Sequence, residues 1–361
     1  MALVHMVVVA IGASVMLTTG LSAVRTVVLP RGEQALLTRV VFSAMLGVFG
    51  AVASLGSSYR FRDRVMARYA PFALLAVAGA WVTGVLFGGM LVFWGLDVGG
   101  WHTAFQLSGS SLTTLGFAAA TGEWPHVAAI VEATIGLGLV ALLIGYLSTT
   151  YASFQRRELA VSLLETRAGD PPDAVVMLRR HHWIGRIDAM AEMFASWEQW
   201  FADVEETHTS QPGLAWFRSP LPGRSWVTAA GTVLDSAALS LSVLDVPSAA
   251  EAHLCLRAGY LSLRRVAETF RIPFDPEPRP DDPISIHRSE FDAACGRLAD
   301  AGIPLRADRD QAWRDFVGWR VNYDTVLLAL SATLMSPPAP WTSDRCPLIA
   351  RPGWPRRPGG D

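Results

Sequence analysis

Trp101-His-Thr-Ala-Phe-Gln-Leu-Ser-Gly-Ser-Ser-Leu-Thr-Thr-Leu-Gly-Phe117, followed by Ala118, is a largely polar stretch between two long apolar ones. Before it, Pro71 to Leu96 runs for 26 residues without a charge, and after it Glu132 is the only charge between Glu123 and Arg156. A bilayer core about 30 Å thick needs roughly 20 apolar residues of helix, so both flanks are long enough to span it. The intervening piece, Gly99 to Trp124, is too polar and too short to cross and return as two helices. Its length suits a re-entrant helix followed by an extended strand. Such backbone is tolerated at membrane depth only where it is buried in protein or lines water.

The rest of the first half reads the same way. Val40 to Tyr59 is a further 20 residues without a charge, and Met1 to Val24 carries only His5 as a titratable group. The latter lacks the basic region of a secretory signal, so it reads as a retained membrane helix. Apolar segments therefore lie at 2–28, 36–58, 71–96 and 125–155, while residues from 156 onward are water-soluble in character. The reading is an all-α integral membrane protein with three or four apolar membrane helices, a re-entrant loop and a helical C-terminal domain. Its expected parts are 1–70, 71–155, 156–336 and a disordered tail at 337–361.

Arginine sets the expected orientation. Arg60, Arg62, Arg64 and Arg68 precede the third apolar segment, and Arg156 and Arg157 follow the fourth, so both ends are expected inside and the 97–124 loop outside. If the second segment spans, the linker with Arg31 and Arg39 lies outside. If it lies along the inner surface, all these arginines are inside, and charge favours this surface helix. All 30 basic residues are Arg, and the net charge of −2 says little about partners; no nucleic-acid partner is expected. Cys255, Cys295 and Cys346 are odd in number and lack CxxC spacing, which argues against a disulfide framework or zinc site.

The soluble half predicts helices at 155–167, 172–181, 186–206, 223–243, 248–270, 286–301 and 308–335. Ile187, Met190, Phe194, Trp197 and Phe201 share one helical face. Trp197, Trp200, Trp216, Phe217 and Trp226 read as packing residues. His181, His182, His208 and His253 lack metal-binding spacing and read as solvated or capping residues. No GxGxxG, GxxxxGK[ST] or nucleophile–base pattern is present, so neither a nucleotide cofactor nor an enzyme is expected.

An ion that sheds its hydration shell needs oxygens in place of water. Potassium channels supply them from backbone carbonyls of a TVGYG-type strand in each of four chains. Thr114-Leu115-Gly116-Phe117 supplies Thr, apolar, Gly and aromatic in that order, with Thr113 before and Ala118 after. Phe105 to Thr113 predicts a short helix whose negative dipole end favours a cation. On these residues, with Phe105 and Ser108, the stretch 101–155 resembles the pore module of the bacterial potassium channel family, the two-helix ion channel domain. The runs Gly145-Tyr-Leu147, Arg156-Arg-Glu158, His208-Thr-Ser210, Trp216-Phe-Arg-Ser219, Leu234-Asp-Ser-Ala-Ala-Leu239 and Trp319-Arg-Val-Asn-Tyr-Asp324 resemble bacterial proteins of the same description, often labelled two-pore channels. Only one pore loop is present here.

The resemblance implies a homotetramer in a bacterial inner membrane, with a cytoplasmic C-terminal domain, permeant potassium and no cofactor. Thr113, Thr114, Leu115, Gly116, Phe117 and Ala118 would form the selectivity filter. Ala118 departs from the family's second Gly, a position expected to be left-handed, and this implies weakened discrimination against sodium. Gly138 is the gating-hinge candidate, with helix packing as the alternative. Ser110 and Glu132 are support candidates, the carboxylate bonding the short helix backbone or Ser110 near the outer headgroups. A non-conducting membrane-anchored sensor or scaffold is the alternative function. What opens the pore, including any regulatory ligand, is not legible.

Overall fold

The computed structural model describes residues 2–28, 36–185, 190–245 and 250–345. Among them, every regular element is helical, apart from one isolated bridge between Leu244 and Leu305. Helices α1 (Ala2–Val28), α2 (Leu36–Ser54), α3 (Tyr59–Met66), α4 (Tyr69–Gly95), α5 (Trp101–Leu112) and α6 (Glu123–Ala168) precede α7 (Ala174–Trp183), α8 (Met190–Ser210), α9 (Trp226–Val243), α10 (Ala250–Phe270), α11 (Arg288–Asp300), α12 (Arg309–Arg320) and α13 (Asp324–Thr333). The chain forms two compact units, Met1–Val48 with Tyr69–Ala152, and Phe49–Arg68 with Ser153–Asp361. Residues 49–68 group with the C-terminal unit, and the expected helix at 155–167 is the uninterrupted end of α6.

In the first unit, α1 lies antiparallel on α4. The His5 ring sits 5.5 Å from the Trp94 ring at one end, and Trp81 Nε1 donates to Ser22 Oγ (3.4 Å) further along. Without a hydrophobic drive between helices in lipid, such packing depends on small residues. Gly84 and Gly88 on α4 serve this purpose. A Cβ on Gly88 would stand 2.8 Å from the Gly12 carbonyl oxygen, and one on Gly12 would stand 2.6 Å from that of Gly88. Helix α2 joins this pair near one end only: Thr38 and Thr26 share a hydrogen bond, and Tyr69 donates to the Phe42 carbonyl. Helices α1, α2, α4 and α6 are each long and apolar enough to cross a membrane, so the protein is membrane-embedded.

Helix α9 is less apolar though still long and apolar enough to cross a membrane, but 94% of it is buried, against 17% of the apolar window of α6. It is the core helix of the second unit, hydrophobic all round because protein surrounds it. Packed around it, Trp197, Trp200 and Phe201 form a ring cluster, and Trp216 and Trp226 are buried as expected. Met190, Phe194, Trp197 and Phe201 are the buried face of α8, while Ile187 and Cys346 lie outside the described residues.

The expected helix 308–335 divides at Val321–Tyr323. The Asn322 side-chain amide caps α12 by donating to the Gly318 carbonyl (2.9 Å). The break lets Arg320 reach Asp235 (2.5 Å) and Asp324 (2.7 Å), while Tyr323 also donates to Asp235 (2.9 Å). Arg320 further donates to the Trp341 carbonyl (2.6 Å), and Ala339, Thr342 and Ser343 are buried. Order therefore continues past Pro337 to Arg345, because this stretch covers a buried cation; 346–361 lies outside the described residues.

Candidate functional site

The site is built where α5 ends. Trp101 stacks on Trp94 with ring centroids 5.4 Å apart, fixing the start of α5 against α4. The helix thus begins four residues before the expected Phe105, and its last turn closes when Thr113 N–H donates to the Gly109 carbonyl (3.2 Å). The chain then leaves helical geometry, with positive φ at Thr114 (57°) and Gly116 (70°).

Ser110 holds the loop from both sides. Its hydroxyl accepts from Ala118 N–H (3.0 Å) and donates to the Ala118 carbonyl (3.3 Å), while its own carbonyl accepts from Leu115 N–H (3.1 Å). One serine thus anchors both ends of the Leu115–Ala118 segment. The Thr113 hydroxyl donates to the Gly109 carbonyl (2.5 Å) and that of Thr114 to the Thr113 carbonyl (2.7 Å). With both protons engaged, each hydroxyl presents only oxygen lone pairs outward, which suits a cation. Thr113 through Phe117 are exposed, Leu115 by 71% and Phe117 by 64%.

Ala118 overturns an expectation. It does not occupy the left-handed region, so it carries none of the strain assigned to it from sequence. The strained residue is Thr114, whose β-branched side chain at positive φ is an outlier costing about 1–2 kcal/mol. Weakened discrimination against sodium therefore has no conformational basis at Ala118. Gly116 does hold the left-handed geometry expected of it.

Glu132 is buried among helices, at 1% exposure. Its Oε1 lies 2.5 Å from the hydroxyl of Ser108, which also donates to the Leu86 carbonyl (2.9 Å). The partner is therefore Ser108, not the expected Ser110, because residues two apart lie on nearly opposite faces of a helix. Gly89 makes the room: a Cβ there would stand 2.1 Å from Oε1. Glu132, Ser108 and Gly89 thus tie α6, α5 and α4 together.

The glycine of α6 that a close approach requires is Gly136, two residues before the hinge candidate. A Cβ on it would lie 2.1 Å from the Leu112 carbonyl oxygen, at the very end of α5. Gly138, the hinge candidate, faces open space within an unbroken helix. Asp97 and Glu123, near the ends of the α4–α5 and α5–α6 connections, are exposed.

The second unit carries its own buried cluster at the continuation of α6. Arg157 is 1% exposed and donates to Glu158, to the carbonyls of Leu214 (3.0 Å) and Phe217 (2.7 Å), and to His208 Nε2 (3.1 Å). His208 Nδ1 in turn donates to the Val204 carbonyl (2.9 Å). Arginine cannot accept and a carbonyl cannot donate, so the ring is neutral with its proton on Nδ1. Burial, and then the Arg157 charge, holds its pKa well below the ordinary histidine value. The expectation of a solvated or capping histidine fails at His208, which is wholly buried.

Comparison with known protein families, with curated proteins and with solved structures finds no match for this chain.

Proposed function

We propose that this chain is a subunit of a potassium-type cation channel in which four copies surround one ion path. Thr113 to Ala118 is the filter, and the membrane part of α6, about 125–155, lines the path below it. The observation that carries this reading is the exposed Thr113–Phe117 segment, delivered by a short helix between two helices of spanning length, with Ser110 anchoring Leu115 and Ala118. Exposed apolar side chains at Leu115 and Phe117 call for covering surfaces, which neighbouring copies provide. The carbonyl end of α5 adds negative potential beside the loop. The positive-inside rule, applied to Arg60, Arg62, Arg64 and Arg68 before α4 and to Arg156 and Arg157 in α6, supports a cytoplasmic second unit, and the resemblance to the bacterial potassium channel family supports a bacterial inner membrane.

The test is reconstitution of the purified protein into potassium-loaded liposomes, with efflux followed against a bulky impermeant organic cation. Potassium efflux supports the channel. Liposomes as tight as protein-free ones move the assignment to a membrane-anchored sensor or scaffold.

A further inference from the structure

Within the first unit, α1, α4 and α6 line a half-open cavity of about 240 Å³. Met16, Leu17, Phe93, Val131 and Ile135 contribute apolar walls, and the one titratable side chain among its lining residues is Glu132. That carboxyl is the group tied to Ser108 through Oε1. Its other oxygen, Oε2, is buried without a hydrogen-bond partner among the described residues. Buried polar atoms are nearly always satisfied, so an orphan at the wall of a cavity points to what belongs there.

The charge state narrows the choice. Ser108 has one hydroxyl proton and two acceptors in reach, the Leu86 carbonyl at 2.9 Å and Glu132 Oε1 at 2.5 Å. Given to Leu86, that proton leaves Oε1 to supply its own, as a neutral carboxylic acid does. No cation pairs with the carboxyl: α4 has no charged residue, α5 has only His102, α1 has only His5 and Arg25, and the membrane part of α6 has only His126 besides Glu132, in its first turn and bonded to the Gly122 carbonyl. An unpaired carboxylate there would be expensive in so apolar a setting. Oε2 is then a carbonyl-type acceptor in search of a single donor. An engineered apolar cavity of about 150 Å³ takes up benzene, so this one has room for a somewhat larger molecule.

We propose that this cavity binds a small hydrocarbon carrying one hydroxyl, with the hydroxyl donating to Glu132 Oε2 and the chain against Met16, Phe93 and Ile135. The site depends on membrane embedding and not on ion conduction, so it stands or falls separately from the channel reading.

The experiment uses the full-length protein in detergent micelles and the apolar reagent dicyclohexylcarbodiimide, with peptide mass spectrometry as readout. The acid O–H adds across one C=N bond, the proton passes to nitrogen, and an O-to-N acyl shift gives a stable acylurea with nothing lost. Labelling is expected at Glu132 and absent in Glu132→Gln. 1-Octanol is expected to slow labelling about five- to tenfold more than 1-methoxyheptane, which has equal length and no donor proton, matching the usual worth of one buried hydrogen bond. Ala128→Phe fills the cavity while keeping the carboxyl, and is expected to abolish that difference. Three results would each overturn the proposal: no labelling at Glu132, equal protection by alcohol and ether (which assigns the space to hydrocarbon chains alone), or octanol protection that survives Ala128→Phe.

Discussion

Replacing Gly136 by Ala isolates the contact on which the α5–α6 junction depends. The added carbon would stand 2.1 Å from the Leu112 carbonyl oxygen, with backbone on both sides of the clash. Relief to an ordinary contact distance requires α6 to back away from the end of α5 by about 1 Å, and overpacking of this kind costs ~3 kcal/mol when no flexible side chain can give way. Ala returns ~1 kcal/mol of helix propensity, leaving a net loss of ~2 kcal/mol, or about 30-fold in an equilibrium constant. Gly138→Ala is the internal control, since nothing lies within 4 Å of its added carbon and only the propensity gain remains. Titration of each purified protein with sodium dodecyl sulfate in mixed micelles, followed by circular dichroism, is expected to show Gly136→Ala unfolding earlier than wild type and Gly138→Ala no earlier. Equal midpoints for Gly136→Ala and wild type would refute the close approach of α6 to Leu112.

Ser108→Ala removes the partner of a buried carboxyl and is expected to cost about 1–3 kcal/mol in the same titration, while Glu132→Gln, which keeps an acceptor, stays closer to wild type. Acid should weaken the second unit through His208. Its folded pKa lies below the ordinary 6.5, so below that pH the unfolded chain binds a proton that the folded chain refuses. Stability is then complete above about pH 6.5 and falls beneath it by up to about 1.4 kcal/mol per pH unit. Thermal melts between pH 7.5 and 5 are expected to show this slope in wild type and a shallower one in His208→Gln; identical slopes would contradict the neutral ring.

Much of this architecture could be read from residues alone, and the failures share a cause. The spans at 71–96 and 125–155 were legible because bilayer thickness acts directly on local composition. Gly116 was legible because its φ of 70° disfavours a side chain whatever surrounds it. The membership of 49–68 was not, since it rests on distant partners: Arg218 reaches Asp63 (2.9 Å) and Tyr59 donates to the Met335 carbonyl (3.4 Å). Nor was the choice of Ser108 over Ser110, which depends on the rotational phase of α5 set by the Trp94–Trp101 stack. Gly84 and Gly88 did carry a readable signal, two small residues four apart on an apolar helix. Arg320 carried little: Asp324 four residues on is a readable helical partner, but one of three arginines in a predicted helix gives no sign that Asp235 and the Trp341 carbonyl also converge on it.

The central claim is that Thr113 to Ala118 forms an ion filter, and Gly116 tests it most directly. An alanine there must hold a left-handed φ at about 1–2 kcal/mol per copy, or roughly 4–8 kcal/mol around a ring of four, and no side chain nearby is displaced by it. The measurement is potassium flux through liposomes carrying matched amounts of wild-type and Gly116→Ala protein, with assembly checked by size-exclusion chromatography. Robust wild-type flux that Gly116→Ala abolishes without loss of assembly is the expected result; undiminished flux through the variant would contradict the filter assignment.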